Sequence, residues 1–106
     1  MQIGTWNVRS LYRTGAVVGI VKEVGRYNLD IVRLQEVRLP GEEKRNYGTY
    51  TLFHGKGNVN HAAGTGFLVS NKIKSTVKEV NYISDRLSYL RMKGRWCDII
   101  ITNAYE

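Results

Sequence analysis

Hydrophobic and polar positions change period twice along this chain. Residues 2–8 alternate, with Ile3, Thr5 and Asn7 on one side and Gly4, Trp6 and Val8 on the other, which predicts a short strand. A polar turn follows at residues 10–14. Val17, Ile20, Val21 and Val24 then fall at i, i+3, i+4 and i+7, one face of a helix over residues 15–27, with Lys22, Glu23 and Arg26 opposite. Gly19 and Gly25 each cost about 1 kcal/mol relative to Ala, so packing must hold this helix. Asn28 is its expected stop, because Asn tolerates the left-handed conformation that ends helices.

Residues 29–37 read as the next strand, and a Gln35-Glu36 pair leaves its carboxyl end. Strand, helix and strand in this order make the two strands parallel, with the helix on one face of the sheet. Ligands gather at the carboxyl ends of such strands, where Asn7 and Glu36 both fall. Asp30 begins the strand at the opposite end and is rejected as a ligand.

The period then returns to two. After Leu39-Pro40-Gly41, residues 42–48 read as a charged loop, and strands are predicted over 49–54 and 66–70 around a Gly/Asn-rich loop. Strands at 75–83, 87–93 and 96–103 complete an antiparallel region. A bulge is expected between Tyr89 and Leu90, where the alternation changes phase. Met92-Lys93-Gly94-Arg95 reads as a tight turn with Gly at positive φ. The Ile99-Ile100-Ile101 run suggests burial on both faces, and Trp6 and Trp96 read as core. The expected fold class is α/β, a mixed β-sheet with one covering helix. Its other face has no sheet assigned to it and is expected to be exposed and apolar, of a kind that drives association.

Composition narrows the partners. At 106 residues the chain is one domain or a piece of one, and 42% hydrophobic with 24% charged residues excludes a disordered chain. Sixteen Lys and Arg against nine Asp and Glu give +7, which suits a polyanion such as nucleic acid or serves solubility. Arg9, Arg13, Arg38, Lys44 and Arg45 lie near the carboxyl-end loops and are candidate phosphate contacts. Cys97 is alone, and neither a secretory pattern nor a membrane-spanning run is seen, so nucleus or cytoplasm is expected and no membrane partner.

Ile3-Gly4-Thr5-Trp6-Asn7-Val8-Arg9-Ser10-Leu11, followed by Leu29-Asp30-Ile31-Val32 and Leu34-Gln35-Glu36-Val37-Arg38, resembles the opening of the endonuclease/exonuclease/phosphatase superfamily. Gly64-Thr65-Gly66-Phe67-Leu68-Val69, Ser84-Asp85-Arg86, Ser88-Tyr89 and Gly94-Arg95-Trp96-Cys97 are similar to one branch of it. That branch is the endonuclease domain of non-LTR (LINE-type) retrotransposons and the related craniofacial development protein 2-like genes. The resemblance implies a DNase I-like four-layer α/β-sandwich, about half of it in residues 1–106, and a DNA endonuclease dependent on Mg²⁺ (or Mn²⁺). It implies phosphate contacts from Asn7 and Tyr105 and a metal-ligand role for Glu36. The family's later Gly-Asp-x-Asn and Asp-His segments have no counterpart, so an incomplete domain is expected, with the missing C-terminal half as a partner. Arg33 stands where a small or apolar residue is usual.

The chemistry closes only in part. One carboxylate suffices for a Mg²⁺ ion whose other ligands are water and substrate oxygens, and neutral Asn7 can hydrogen-bond a phosphate without repelling it. Neither His54 nor His61 stands where the general base belongs, which leaves out about 10²–10⁴-fold of rate. Little or no activity is expected of the chain alone. The alternative is a non-catalytic remnant that binds nucleic acid by charge. On their own residues, Glu36 reads first as a solvated strand-end carboxylate, and Asn7 as a turn cap or a site residue alike.

Overall fold

A computed structural model describes residues 1–11, 13, 15–55 and 64–104. The strand–helix–strand opening is as the periodicity requires. Ile3–Asn7 (β1) and Ile31–Gln35 (β2) pair in parallel, Ile3 opposite Ile31 and Asn7 opposite Gln35. Between them Ala16–Arg26 forms α1, which buries Val17 and Val24. Asn28 ends it in the left-handed region at φ 52°, its N–H donating to Gly25 O at 3.2 Å.

β2 pairs antiparallel with Thr65–Ser70 (β5), which continues through Tyr50–Gly55 (β4) to Glu43–Tyr47 (β3). The mixed sheet therefore runs β1-β2-β5-β4-β3. Residues 42–48 are thus not a loop: β3 is the edge strand of this sheet. Four of its five residues are exposed, which is why it carries no apolar alternation.

Val77–Ser84 (β6), Leu87–Met92 (β7) and Ile99–Ala104 (β8) form a second, antiparallel sheet. It lies across the first, with β8 against β2, β7 against β5 and β6 against β4. Ile31, Phe53, Phe67 and Val69 meet Leu90, Met92 and Ile101 between the sheets, while Val32, Leu34, Leu52 and Leu68 pack with Val17 and Val24 on the helix side. The described residues therefore make three layers: helix, five-stranded sheet and three-stranded sheet. The face expected to be bare is covered by β6, β7 and β8. Exposed apolar surface lies instead on the outside of the second sheet, where Ile83 and Ile100 are 56% and 61% exposed.

Four further expectations are corrected. β7 alternates without interruption, burying Ser88, Leu90 and Met92, and the register shifts lie in β6 at Val77/Glu79 and Tyr82/Ser84. The apparent phase change came from Ser88, a polar residue in an inward position, bonded there by Thr65 Oγ1 at 2.7 Å. β7 and β8 are joined by residues 93–98, and Gly94 is not among the glycines at positive φ; its need is steric, since a Cβ there would collide with Cys97 O. β8 buries only Ile101 and Asn103 because it is an edge strand, and Ile99 and Ile100 are exposed. Neither tryptophan is core: Trp96 is 90% exposed and Trp6 39%.

Candidate functional site

The parallel ladder runs on past the ends of β1 and β2. Val8 N–H donates to Gln35 O at 3.1 Å, Ser10 N–H to Glu36 O at 2.7 Å and Leu11 N–H to Val37 O at 2.8 Å. Residues 8–11 are thereby laced along residues 35–37, and Asn7 and Glu36 end on neighbouring strand tips.

The backbone at this tip is unusual. Arg9, Ser10, Glu36 and Arg38 all have positive φ, at 53°, 103°, 55° and 54°. Asn28 is the one other non-glycine residue to do so among those described. Each such residue costs on the order of 1–3 kcal/mol, and such residues cluster at active sites and ligand clamps. At Glu36 the consequence is visible. Strict alternation would send Glu36 to the Leu34 side, into the helix-side core, yet it is Val37 that joins Leu34 there. The left-handed residue breaks the alternation and releases Glu36 from that core. Its side chain is 17% exposed, with Arg38 Nη2 3.6 Å from Oε1.

Asn7 is exposed and its Oδ1 accepts from Arg9 N–H at 3.1 Å, the turn-capping bond expected of an Asx residue. Beneath the tip runs a polar seam that periodicity alone does not reveal. Gln35 Nε2 donates to Thr5 Oγ1 and to Asn103 Oδ1, both at 3.0 Å. Asn103 Nδ2 donates in turn to Leu34 O at 2.9 Å and Gly66 O at 3.0 Å. The available signal was that Thr5, Gln35 and Asn103 are polar residues at strand positions whose parity points inward.

The model for the endonuclease/exonuclease/phosphatase family matches residues 4–105. The chain belongs to that family. It is also similar to craniofacial development protein 2 of Bos taurus and of Tragulus javanicus, 24% identical to each over 103 residues. Those 103 residues are 97% of this chain but 17% and 18% of the two relatives, so the chain spans less than a fifth of their length.

The basic residues divide between the two faces of the sheet. Arg9, Arg13 and Arg38 are exposed on the tip loops, and Arg13 shares a cavity of about 250 Å³ with Arg45, Leu11 and Leu39. Arg45 is already paired, its Nε 3.2 Å from Glu43 Oε1. Lys44 lies apart from them, on the opposite face of β3, with its ammonium 6.0 Å from the Phe53 ring and beside β6. Tyr105 and His61 lie outside the described residues. His54, at the end of β4, is buried and its Nε2 is 3.4 Å from Glu43 Oε2. Burial holds its imidazole below the ordinary range despite that carboxylate.

Members of this family generally depend on a divalent metal. Among the described residues no three His, Cys, Asp or Glu side chains gather at one point. The tip offers Glu36 as a single carboxylate. That fits a hard cation such as Mg²⁺, which takes one or two protein oxygens and keeps water and phosphate for the rest. It does not fit a cation that needs a full protein cage.

Proposed function

We propose that this chain carries the metal- and phosphate-holding part of a nuclease that cleaves DNA phosphodiester bonds, of the retrotransposon type. Glu36 holds Mg²⁺ or Mn²⁺, Asn7 and Tyr105 hydrogen-bond the scissile phosphate, and Arg9, Arg13 and Arg38 bind the flanking backbone. When bound, the cation supplies charge on the phosphate and lowers the pKa of its water. One observation supports this reading above others: Asn7 and Glu36 end adjacent parallel strands, in a stretch of backbone where four non-glycine residues are left-handed.

Among the described residues no general base stands at the tip, so nicking by this chain alone is expected to be weak or absent. The partner proposed is a segment that supplies such a base. The test is titration of Mn²⁺ into the isotope-labelled chain, beside its Glu36→Gln variant. Paramagnetic broadening should centre on residues 7–11 and 35–38 and vanish in the variant. Broadening elsewhere, or unchanged broadening in Glu36→Gln, overturns the metal assignment. A second reading, a non-catalytic nucleic-acid-binding remnant, draws on the three exposed arginines. DNA binding that needs neither the metal nor Glu36 would favour it.

A further inference from the structure

The end of the molecule away from the tip carries a charge of its own. Asn103 meets Gln35 beneath the tip, and Ile99 starts β8 about 13 Å further down the strand. The loop of residues 93–98 therefore lies at the opposite pole. Lys93 N–H donates there to Thr76 O at 2.7 Å, which sets the loop beside residues 72–78. The two stretches hold Lys72, Lys74, Lys78, Lys93 and Arg95 against a single acid, Asp98. That acid is already taken, by Lys78 Nζ at 3.2 Å and by Arg91 Nη1 at 3.0 Å. No ion pair to Lys72, Lys74, Lys93 or Arg95 is found among the described residues. Cations gathered without counter-charges make a field that draws a polyanion.

Trp96 stands within this charge. It is 90% exposed, more than any other large apolar residue described. The Arg95 guanidinium lies over its ring, 5.5 Å from the centroid, and the ring is otherwise open. The loop that presents it is tightly folded, since a Cβ at Gly94 would collide with Cys97 O. An indole offers on the order of 150–250 Å² for burial, and a ring flanked by cations is the arrangement on which nucleic-acid bases stack. The cations also lead into a hollow. Lys74 and Lys78, with Lys44 and Phe53, line a cavity of about 660 Å³ between β3 and β6. Of its acids, Glu43 and Glu79 are paired with Arg45 and Arg91, and Glu42 acts on Tyr82.

We propose that this pole is a second nucleic-acid site, one that takes a single strand. One base stacks on the open side of Trp96, and the adjoining phosphates follow Lys93, Lys74 and Lys78 toward the cavity. Stacking and charge read no base edge, so the site tolerates any sequence. A duplex is a poorer occupant, because its bases are stacked on one another. So is a bilayer, whose flat surface reaches Trp96 but not the hollow. An acidic peptide matches the lysines and brings no base to the indole. Neither Glu36 nor a metal takes part, so the inference stands apart from the function proposed above.

The test is titration of the 106-residue chain with oligothymidylate and oligouridylate in EDTA, read by tryptophan fluorescence and by anisotropy of the labelled strand. Both strands should quench saturably, and the tighter of the two tells DNA from RNA as the ligand. Trp96→Ala should remove most of the quench and weaken binding about tenfold, and Trp96→Phe should restore most of the affinity. Lys74→Gln and Lys93→Gln should each make the salt dependence shallower, by about 0.7 in slope. Trp96 and Lys93 are exposed, so their variants leave the core intact. Affinity indifferent to Trp96→Ala, or duplex DNA bound as tightly as the single strands, overturns the proposal. So does the same quench produced at lower concentration by phosphatidylserine vesicles or polyglutamate.

Discussion

Gln35 and Asn103 are 68 residues apart in sequence and 3.0 Å apart between the sheets. Asn103 also binds the carbonyls of Leu34 and Gly66, so one amide ties β8 to β2 and β5. Without it, Gln35 Nε2 keeps Thr5 Oγ1 and Arg33 O, and the two carbonyls keep their places in the β2–β5 ladder. Removing the side chain thus loses three hydrogen bonds at about 0.5–1.5 kcal/mol each, together with its buried packing. Asn103→Ala should therefore cost about 3 kcal/mol or more in urea denaturation. Thr102→Ala, next to it but exposed and acting through its backbone carbonyl, should cost a small fraction of that.

Stability should fall as pH drops through the histidine range. The folded protein depresses the His54 pKa, burial outweighing the Glu43 carboxylate, while the unfolded chain takes up a proton near 6.5. Below that pH the unfolded state binds a proton that the native state resists, so its contribution is complete above 6.5 and is lost progressively below. Glu43→Gln removes the influence that opposes the depression and should steepen the loss; His54→Leu should flatten it. Denaturation midpoints at about pH 7.5, 6.5 and 5.5 check both, and a wild-type midpoint that rises on acidification contradicts the sign worked out here.

Two glycines should respond in opposite directions to the same substitution. Gly19 lies inside α1 with nothing within 4 Å of where a Cβ would stand, so Gly19→Ala should stabilise by about 1 kcal/mol. Gly66 lies in β5, where a Cβ would stand 2.7 Å from Phe53 O and 3.3 Å from Val37 Cγ2. The backbone of β4 would have to move, and Gly66→Ala should destabilise by about 2–3 kcal/mol. Thermal melts of the two variants side by side are sufficient.

What was legible in the sequence follows from what carries a period. The apolar face of α1, the left-handed Asn28 and the parallel tips of β1 and β2 were readable because local pattern and chain reversal dictate them. β3 was not, because an edge strand of Glu-Lys-Arg-Asn-Tyr buries no side chain and has no pattern to show. The packing of β6, β7 and β8 on the first sheet is a long-range choice, and the isoleucine run of β8 conceals it by placing apolar residues on both faces. At the site, the adjacency of Asn7 and Glu36 was legible from topology. The polar seam of Thr5, Gln35 and Asn103 was not, since its hydrogen bonds join residues that no local window contains.

The strain at the tip makes a final prediction. Arg38 is exposed and left-handed at φ 54°, and its pairing with Glu36 at 3.6 Å is of the surface kind that contributes little. Gly at this position relieves the steric cost but loses about 0.4–1 kcal/mol to unfolded-state entropy, so Arg38→Gly should be nearly neutral. A β-branched residue meets the steric cost in full, and Arg38→Val should lose about 1–2 kcal/mol. If Val is tolerated as well as Gly, the backbone there relaxes freely and is not strained by its surroundings. If Val is costly while Gly is not, the tip is held left-handed by the laced loops on either side, and Glu36 keeps its orientation even when its arginine neighbour is gone.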